Sequence, residues 1–405
     1  MDWLAERKYP MWAIAGFVIL SVFGATLRLL FVSPVPALNY SFLLHAHSHF
    51  AFAGWIFLAL AILIIATLRP QSVSKPLNRT LILTLISAFG MLISFSFQGY
   101  KAISISFSTL FIVANFWFSY LIFRSRELQS TFNGPARRLL KASLIFLCLS
   151  SAGPFALGPL MVTGHKDSPL YHNAIYFYLH FQMNGWMLMG ALSLLLNRFT
   201  ISEKSAAQLR RWLNAFIWST VPLYLIFTLW SSSSDWVRSI ALLAALLNLL
   251  SWIRILIFIG QSSARIPFLL RIAILALSLK ILFQSLVCIP SIGDWVFSQR
   301  NLIIGYIHLL TLGAITPLIL NSFSERQYLQ GRQLQNLHIA FVITVVLYLI
   351  LLFIQPLLSL FQILIPGYQI VLLVFSVIFL ILGCIYLRMI PFKRSRISSF
   401  ANTTI

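Results

Sequence analysis

Apolar residues in this chain neither alternate with a period of two nor mark one face of a 3.6-residue helix. They run on for long stretches, broken by short clusters of Arg, Lys, Pro and Gly. A helix crosses a bilayer with about 20 such residues. That length predicts about twelve spans, roughly 11–33, 41–68, 79–98, 102–123, 139–163, 171–197, 210–230, 236–259, 267–289, 301–322, 335–355 and 367–390. The connections are too short for a separate soluble domain. The pattern therefore predicts an all-α, polytopic membrane protein with one integral membrane domain over residues 1–405. The opening "MDWLAERKYP" is charged, but no small-residue cleavage site follows, so a first span is expected rather than a removed signal peptide.

Composition agrees. Hydrophobic residues make up 60% and charged residues 9%, against roughly 25% charged in a soluble domain. The net charge of +21 would point to nucleic acid in a soluble protein. Here its distribution gives it another meaning. With the N-terminus inside, all of the 29 Lys and Arg fall in inner segments except Lys101, Lys166, Arg238 and Arg300 in outer loops and Arg28 and Lys280 within spans. Such a bias predicts an even number of spans and two cytoplasmic termini. Membrane lipid, not nucleic acid, is the expected partner. Cys148, Cys288 and Cys384 are scattered, with no CxxC pair, so neither a disulfide framework nor a thiolate metal site is indicated.

Candidate chemistry lies in the histidines. His45, His47 and His49 open the second span, His172 and His180 the sixth, and His308 the tenth; His165 is in the preceding outer loop, and His338 alone lies on the inner side. Three stretches repeat: "HFAFAGW" from His49, "HFQMNGW" from His180 and "HLLTLGA" from His308, each with Gly five residues on. They are four spans apart, which predicts three arcs of four helices over about 11–123, 139–259 and 267–390. The glycines would admit a flat cofactor or a neighbouring helix. An intramembrane histidine is often a hydrogen-bonded packing residue, yet three helices carrying one at equal depth point to metal or haem ligation. His45 and His49 share a face while His47 points roughly the other way. Expected ligands are His49, whose spacing recurs, and His308, with His45 as the alternative on that face and His47 in reserve for a second metal.

All eight Asp and Glu lie in loops or tails. That argues against a carboxylate proton relay, a cation transporter or a di-iron carboxylate site. It also leaves Arg28 and Lys280 without acidic partners. Either they snorkel to the interface or they hold an anionic cofactor group such as haem propionates.

With histidines on spans 2, 6 and 10, the arrangement resembles catalytic subunit I of the haem-copper oxidases and nitric oxide reductases. "LLHAHSHFAFAGW" and "HLLTLGAIT" are similar to stretches of the NnrS family, haem- and copper-containing membrane proteins linked to nitric oxide stress. "YHNAIY" (Tyr171 to Tyr176) resembles the copper motif on helix 6 of the oxidases. The resemblance implies a low-spin haem b between His45 or His49 and His308, and a second metal, copper, at His172 or His180. It also implies a membrane oxidoreductase acting in electron transfer or in nitric oxide or oxygen redox chemistry or sensing. A membrane or periplasmic electron donor would serve it in a bacterial cytoplasmic (inner) membrane. The seventh span lacks the family's two adjacent histidines, and Tyr306 stands two residues before His308 where the oxidases have another. A proton-pumping oxidase is therefore not expected. The rival class is a transporter or channel with a histidine-lined path; twelve-helix transporters usually repeat as two sixes, whereas the His-to-Gly marks repeat as three fours.

Overall fold

A computed structural model describes residues 3–68, 73–231, 234–262 and 265–391. Arg69, Lys393, Arg394, Arg396 and the C-terminus lie outside the described residues, as do the side chains of Arg7 and Lys204. The described residues form helices and connections with no strand. In chain order the long helices are α1 (Trp3–Val32), α2 (Tyr40–Leu68), α3 (Lys75–Gln98), α4 (Ala102–Phe123), α5 (Gly134–Val162), α6 (169–196), α7 (203–228), α8 (Asp235–Gln261), α9 (Phe268–Leu286), α10 (Arg300–Glu325), α11 (Leu334–Ser359) and α12 (Tyr368–Arg388).

Ten of these are long and apolar enough to cross a membrane, and the protein is a multi-pass membrane protein. The two that fall short are α6 and α7, where the apolar pattern predicts spans over 171–197 and 210–230. Both are helical, but α6 carries His172, Asn173, His180, Gln182 and Asn184. The α7 helix opens on charged residues and loses its regular form after Pro222: Glu203–Leu223 gives way to a 3₁₀ turn, Tyr224–Thr228. Proline lacks the amide hydrogen a regular helix needs and crowds the preceding turn. The outward faces are apolar. Leu243 of α8 is 67% exposed, with Leu246, Leu250, Ile253 and Ile257 also bare, a surface that water would not tolerate but lipid would.

Packing is largely between sequence neighbours, and α12 returns to α1. Inside this girdle, Leu58–Leu68 of α2, Leu188–Leu196 of α6 and Thr316–Glu325 of α10 touch one another pairwise. Every residue from Phe57 to Ile65 is buried, so α2 is enclosed by protein on all sides there. Polar bonds clasp the three helices at one end. Arg198, after α6, forms a bidentate ion pair with Glu325 at the end of α10. Arg326 donates to the Ala66 carbonyl (3.1 Å) and Thr67 Oγ1 (2.6 Å), satisfying an acceptor that the end of α2 leaves open.

Each central helix changes pitch at a corresponding place. Ala51–Phe57, Phe181–Met187 and Leu309–Ile315 are seven-residue π-helical segments, beginning one or two residues after His49, His180 and His308. A π segment fits an extra residue into the helix and is frequent at functional sites. Gly54, Gly185 and Gly313 lie within them and admit neighbours. A Cβ on Gly185 would come 2.4 Å from Phe146 Cβ of α5, and one on Gly313 3.1 Å from Ala276 Cβ of α9. A Cβ on α1's Gly16 would lie 2.3 Å from the Gly54 carbonyl.

Candidate functional site

The first turns of α2 distribute their histidines to two sides, as a two-residue offset of about 200° requires. On one side, His49 Nε2 accepts from the Tyr100 hydroxyl at 2.7 Å, and its ring stacks on Phe95 with centroids 4.4 Å apart. His45 shares this aromatic nest, 4.6 Å from the Tyr100 ring and 3.3 Å from Ser41 Oγ. Burial pushes the Tyr100 phenol up to about 12, so its proton stays available as the donor.

On the other side, His47 turns to α1. Its Cε1 would be 3.4 Å from a Cβ on Gly24. The His47 Nδ1 is buried and has no hydrogen-bond partner among the described residues, a costly state for a polar atom. His47 lies within electrostatic reach of His308 and Arg28. The His308 Nδ1–H donates to the Ile304 carbonyl at 2.8 Å, which leaves the Nε2 lone pair unclaimed. A backbone anchor of this kind is what holds a ligating imidazole in one tautomer and orientation. The Tyr348 ring stands edge-on to His308 at 5.7 Å. Its hydroxyl accepts from Arg28 Nη2 at 3.0 Å. His308, Arg28 and His47 thus share one neighbourhood, while His49 and His45 are turned to α3 and the α3–α4 connection.

Arg28 is 8% exposed and Lys280 1%. Neither snorkels. Arg28 belongs to the His47–His308 group. Lys280 belongs to a separate network, donating to Asn184 Oδ1 and to Gln284 Oε1 and lying 5.3 Å from the Tyr306 ring centroid. Gln284 in turn donates to Asn248 Oδ1 (3.0 Å), and Asn248 to Ser219 Oγ (3.0 Å). In this placement two amide oxygens accept from the Lys280 amine.

His180 is the other end of that network. Its Nε2–H donates to the Thr220 carbonyl (2.8 Å), and its Nδ1 accepts from Asn184 (3.0 Å). The irregular end of α7 prepares this contact. The 3₁₀ turn directs the Tyr224 amide to Val221 and Pro222, which frees the Thr220 carbonyl for the imidazole. Both imidazole nitrogens of His180 are thus engaged. His172 is exposed at the far end of α6, bonded through Nδ1 to the Ser168 carbonyl (3.2 Å), with Trp230 5.5 Å away. The structure does not bring His172 and His180 to one centre. Among the described residues no three His, Cys, Asp or Glu side chains gather as a metal site.

Tyr348, the Ile304 carbonyl and the Lys280–Asn184–Gln284–Asn248 network were not singled out from sequence. Asn184, Asn248 and Gln284 are amides within apolar runs, and that was the available signal. No family model matches the chain, and no curated protein is similar to it at a significant level.

Proposed function

We propose that this protein is an integral membrane haem protein whose iron is held by His47 of α2 and His308 of α10, working in electron transfer or in nitric oxide or oxygen redox chemistry. The carrying observation is the shared neighbourhood of His47, His308 and Arg28, with one imidazole nitrogen unpartnered and another imidazole anchored through its far nitrogen. A bis-His haem needs one ligand from each of two facing helices. The bound haem would supply a one-electron couple. The chain's part is to fix the two rings, to exclude water from them, and to set a positive charge beside the site through Arg28, placed for a propionate. In the same proposal α6 and α7 also cross the membrane, giving twelve spans in three arcs of the haem-copper-oxidase type. The packing of α2, α6 and α10 inside a girdle supports it, as do their matched π segments. The Lys/Arg bias supports a bacterial cytoplasmic membrane with both termini cytoplasmic. Copper is left out, since His180 is engaged and His172 stands apart.

The test is a dithionite-reduced-minus-oxidised spectrum of protein purified after expression with haem supply. A low-spin b-type signal is expected. His47→Ala and His308→Ala should abolish it; His49→Ala, His45→Ala and His338→Ala should keep it. Arg28→Met should lower the haem potential, because a charge that favours the reduced state is lost. Absence of a Soret band in the wild type would sink the haem reading and leave the transporter class. Loss in His49→Ala with retention in His47→Ala would move the ligand to the other face of α2.

A further inference from the structure

A cleft that combines strong charge with an apolar wall lies where the beginnings of α5 and α7 diverge. It has a volume of about 600 Å³, and its lining includes Arg137, Arg138, Lys141 and Arg210, with no acidic residue. Elsewhere this acid-poor chain does match a cation to a carboxylate, as at Arg198 and Glu325. Here four cations line one cleft with no carboxylate paired to them among the described residues. Two are held in place by one guanidinium nitrogen each: Arg138 Nη1 donates to Asn214 Oδ1 at 2.9 Å, across the cleft, and Arg137 Nη1 to the Gln129 carbonyl at 3.0 Å. Their remaining N–H groups are free to serve an anion.

The wall changes character with depth. Ile145 follows Lys141 by one turn, and Trp218 follows Arg210 by two, or about 12 Å along the helix axis. Trp218 is 71% exposed and Ile145 55%. Cations at the level of headgroups, with bare apolar side chains one to two turns deeper, match the profile of a phospholipid rather than of a soluble anion. Basic pockets between membrane helices on the cytoplasmic side hold anionic headgroups in this manner.

We infer that the α5–α7 cleft is a binding site for an anionic phospholipid, its phosphate held by Arg137, Arg138, Lys141 and Arg210 and an acyl chain lying along Ile145 and Trp218. The inference is independent of any haem.

Trp218 supplies the probe. The purified protein is placed in nanodiscs of phosphatidylcholine containing a small, equal fraction of brominated phosphatidylcholine, brominated phosphatidylglycerol or brominated cardiolipin. Tryptophan quenching is then titrated against lipid fraction. The brominated anionic lipids should quench at about tenfold lower fraction than the neutral one, and Trp218→Phe should remove the anion-specific component. The triple variant Arg138→Gln, Lys141→Gln, Arg210→Gln should bring the three lipids to equal quenching. Its side chains are exposed, but the wild-type comparison and Trp218→Phe stand without it should it fail to fold. Equal quenching by neutral and anionic lipid would overturn the proposal, as would an anion-specific component that survives in Trp218→Phe or in the folded triple variant. So would loss of the preference on adding inorganic phosphate, which would identify a site for the free anion.

Discussion

Lys280 shows how much a lone residue's neighbours add to its reading. A buried ammonium with no carboxylate invites an anionic ligand. The structure places Asn184, Gln284 and the Tyr306 ring around it. Amide oxygens solvate a cation without adding charge, so the network spares the desolvation of a second ion. The two ends of the bond should respond unequally. Lys280→Met removes the charge and leaves the Asn184 Oδ1 acceptor unpaired, at a cost of about 1–3 kcal/mol, while Gln284 Oε1 keeps the Tyr306 hydroxyl as donor; the burial penalty no longer incurred offsets this. Asn184→Leu keeps the charge, removes an acceptor and unpairs His180 Nδ1; losses of about 3–5 kcal/mol follow when a buried charge is left uncompensated. Thermal unfolding in detergent should therefore rank Asn184→Leu well below Lys280→Met. The reverse ranking would mean that these amides do not carry the ammonium. The histidines teach the same lesson. Offsets on α2 separate His47 from His45 and His49 by helical geometry alone, which is legible in sequence. Which face meets α10 depends on how α2 is rotated in the bundle, and nothing local to "HAHSH" fixes that.

At the scale of elements, long apolar runs were a reliable guide, because in lipid a helix is the way an isolated segment satisfies its own backbone. The same reading was weakest at α6, where His180, Gln182 and Asn184 serve internal bonds, and at α7, which opens on charged residues. The His-to-Gly repeat also had more behind it than spacing revealed: the glycines sit in π segments and admit neighbouring helices. Gly185 and Gly158 make a controlled comparison. A Cβ at Gly185 would meet Phe146 Cβ at 2.4 Å, whereas one at Gly158 would meet nothing within 4 Å. Gly185→Ala should destabilise by roughly 1–3 kcal/mol through overpacking of α6 on α5. Gly158→Ala, in a helix and unobstructed, should be neutral or stabilising by up to about 1 kcal/mol. Melting temperatures of the two variants decide; an unaffected Gly185→Ala would mean that α5 and α6 have slack at this contact.

At the scale of the whole molecule, the charge bias and the packing are two independent statements about the same surface. The bias assigns residues near 8, 68–79, 124–141, 198–211, 254–271, 326–332 and 388 to one face. Contacts join members of that set to one another: Asn133 to Asn197 and Leu196, Arg198 to Glu325, Arg326 to Ala66 and Thr67, and Gln330 to Met389. At the opposite end, Arg300 bonds Tyr40. No charge argument was needed to bring these together, so the alternation of ends rests on geometry as well. Which end faces the cytoplasm rests on the bias alone, and this orientation also decides which leaflet could supply lipid to the α5–α7 cleft. Labelling settles it. With Cys148, Cys288 and Cys384 replaced by Ser, His165→Cys in the connection before α6 should react with a membrane-impermeant maleimide in intact cells. Arg332→Cys in the connection after α10 should react only once the membrane is opened. Inverted reactivity would turn the molecule over, putting the histidine-bearing end on the cytoplasmic side and the basic cleft in the outer leaflet. Equal reactivity of both sites in intact cells would break the alternation and, with it, the membrane passage of α6 and α7 that keeps the two connections on opposite faces.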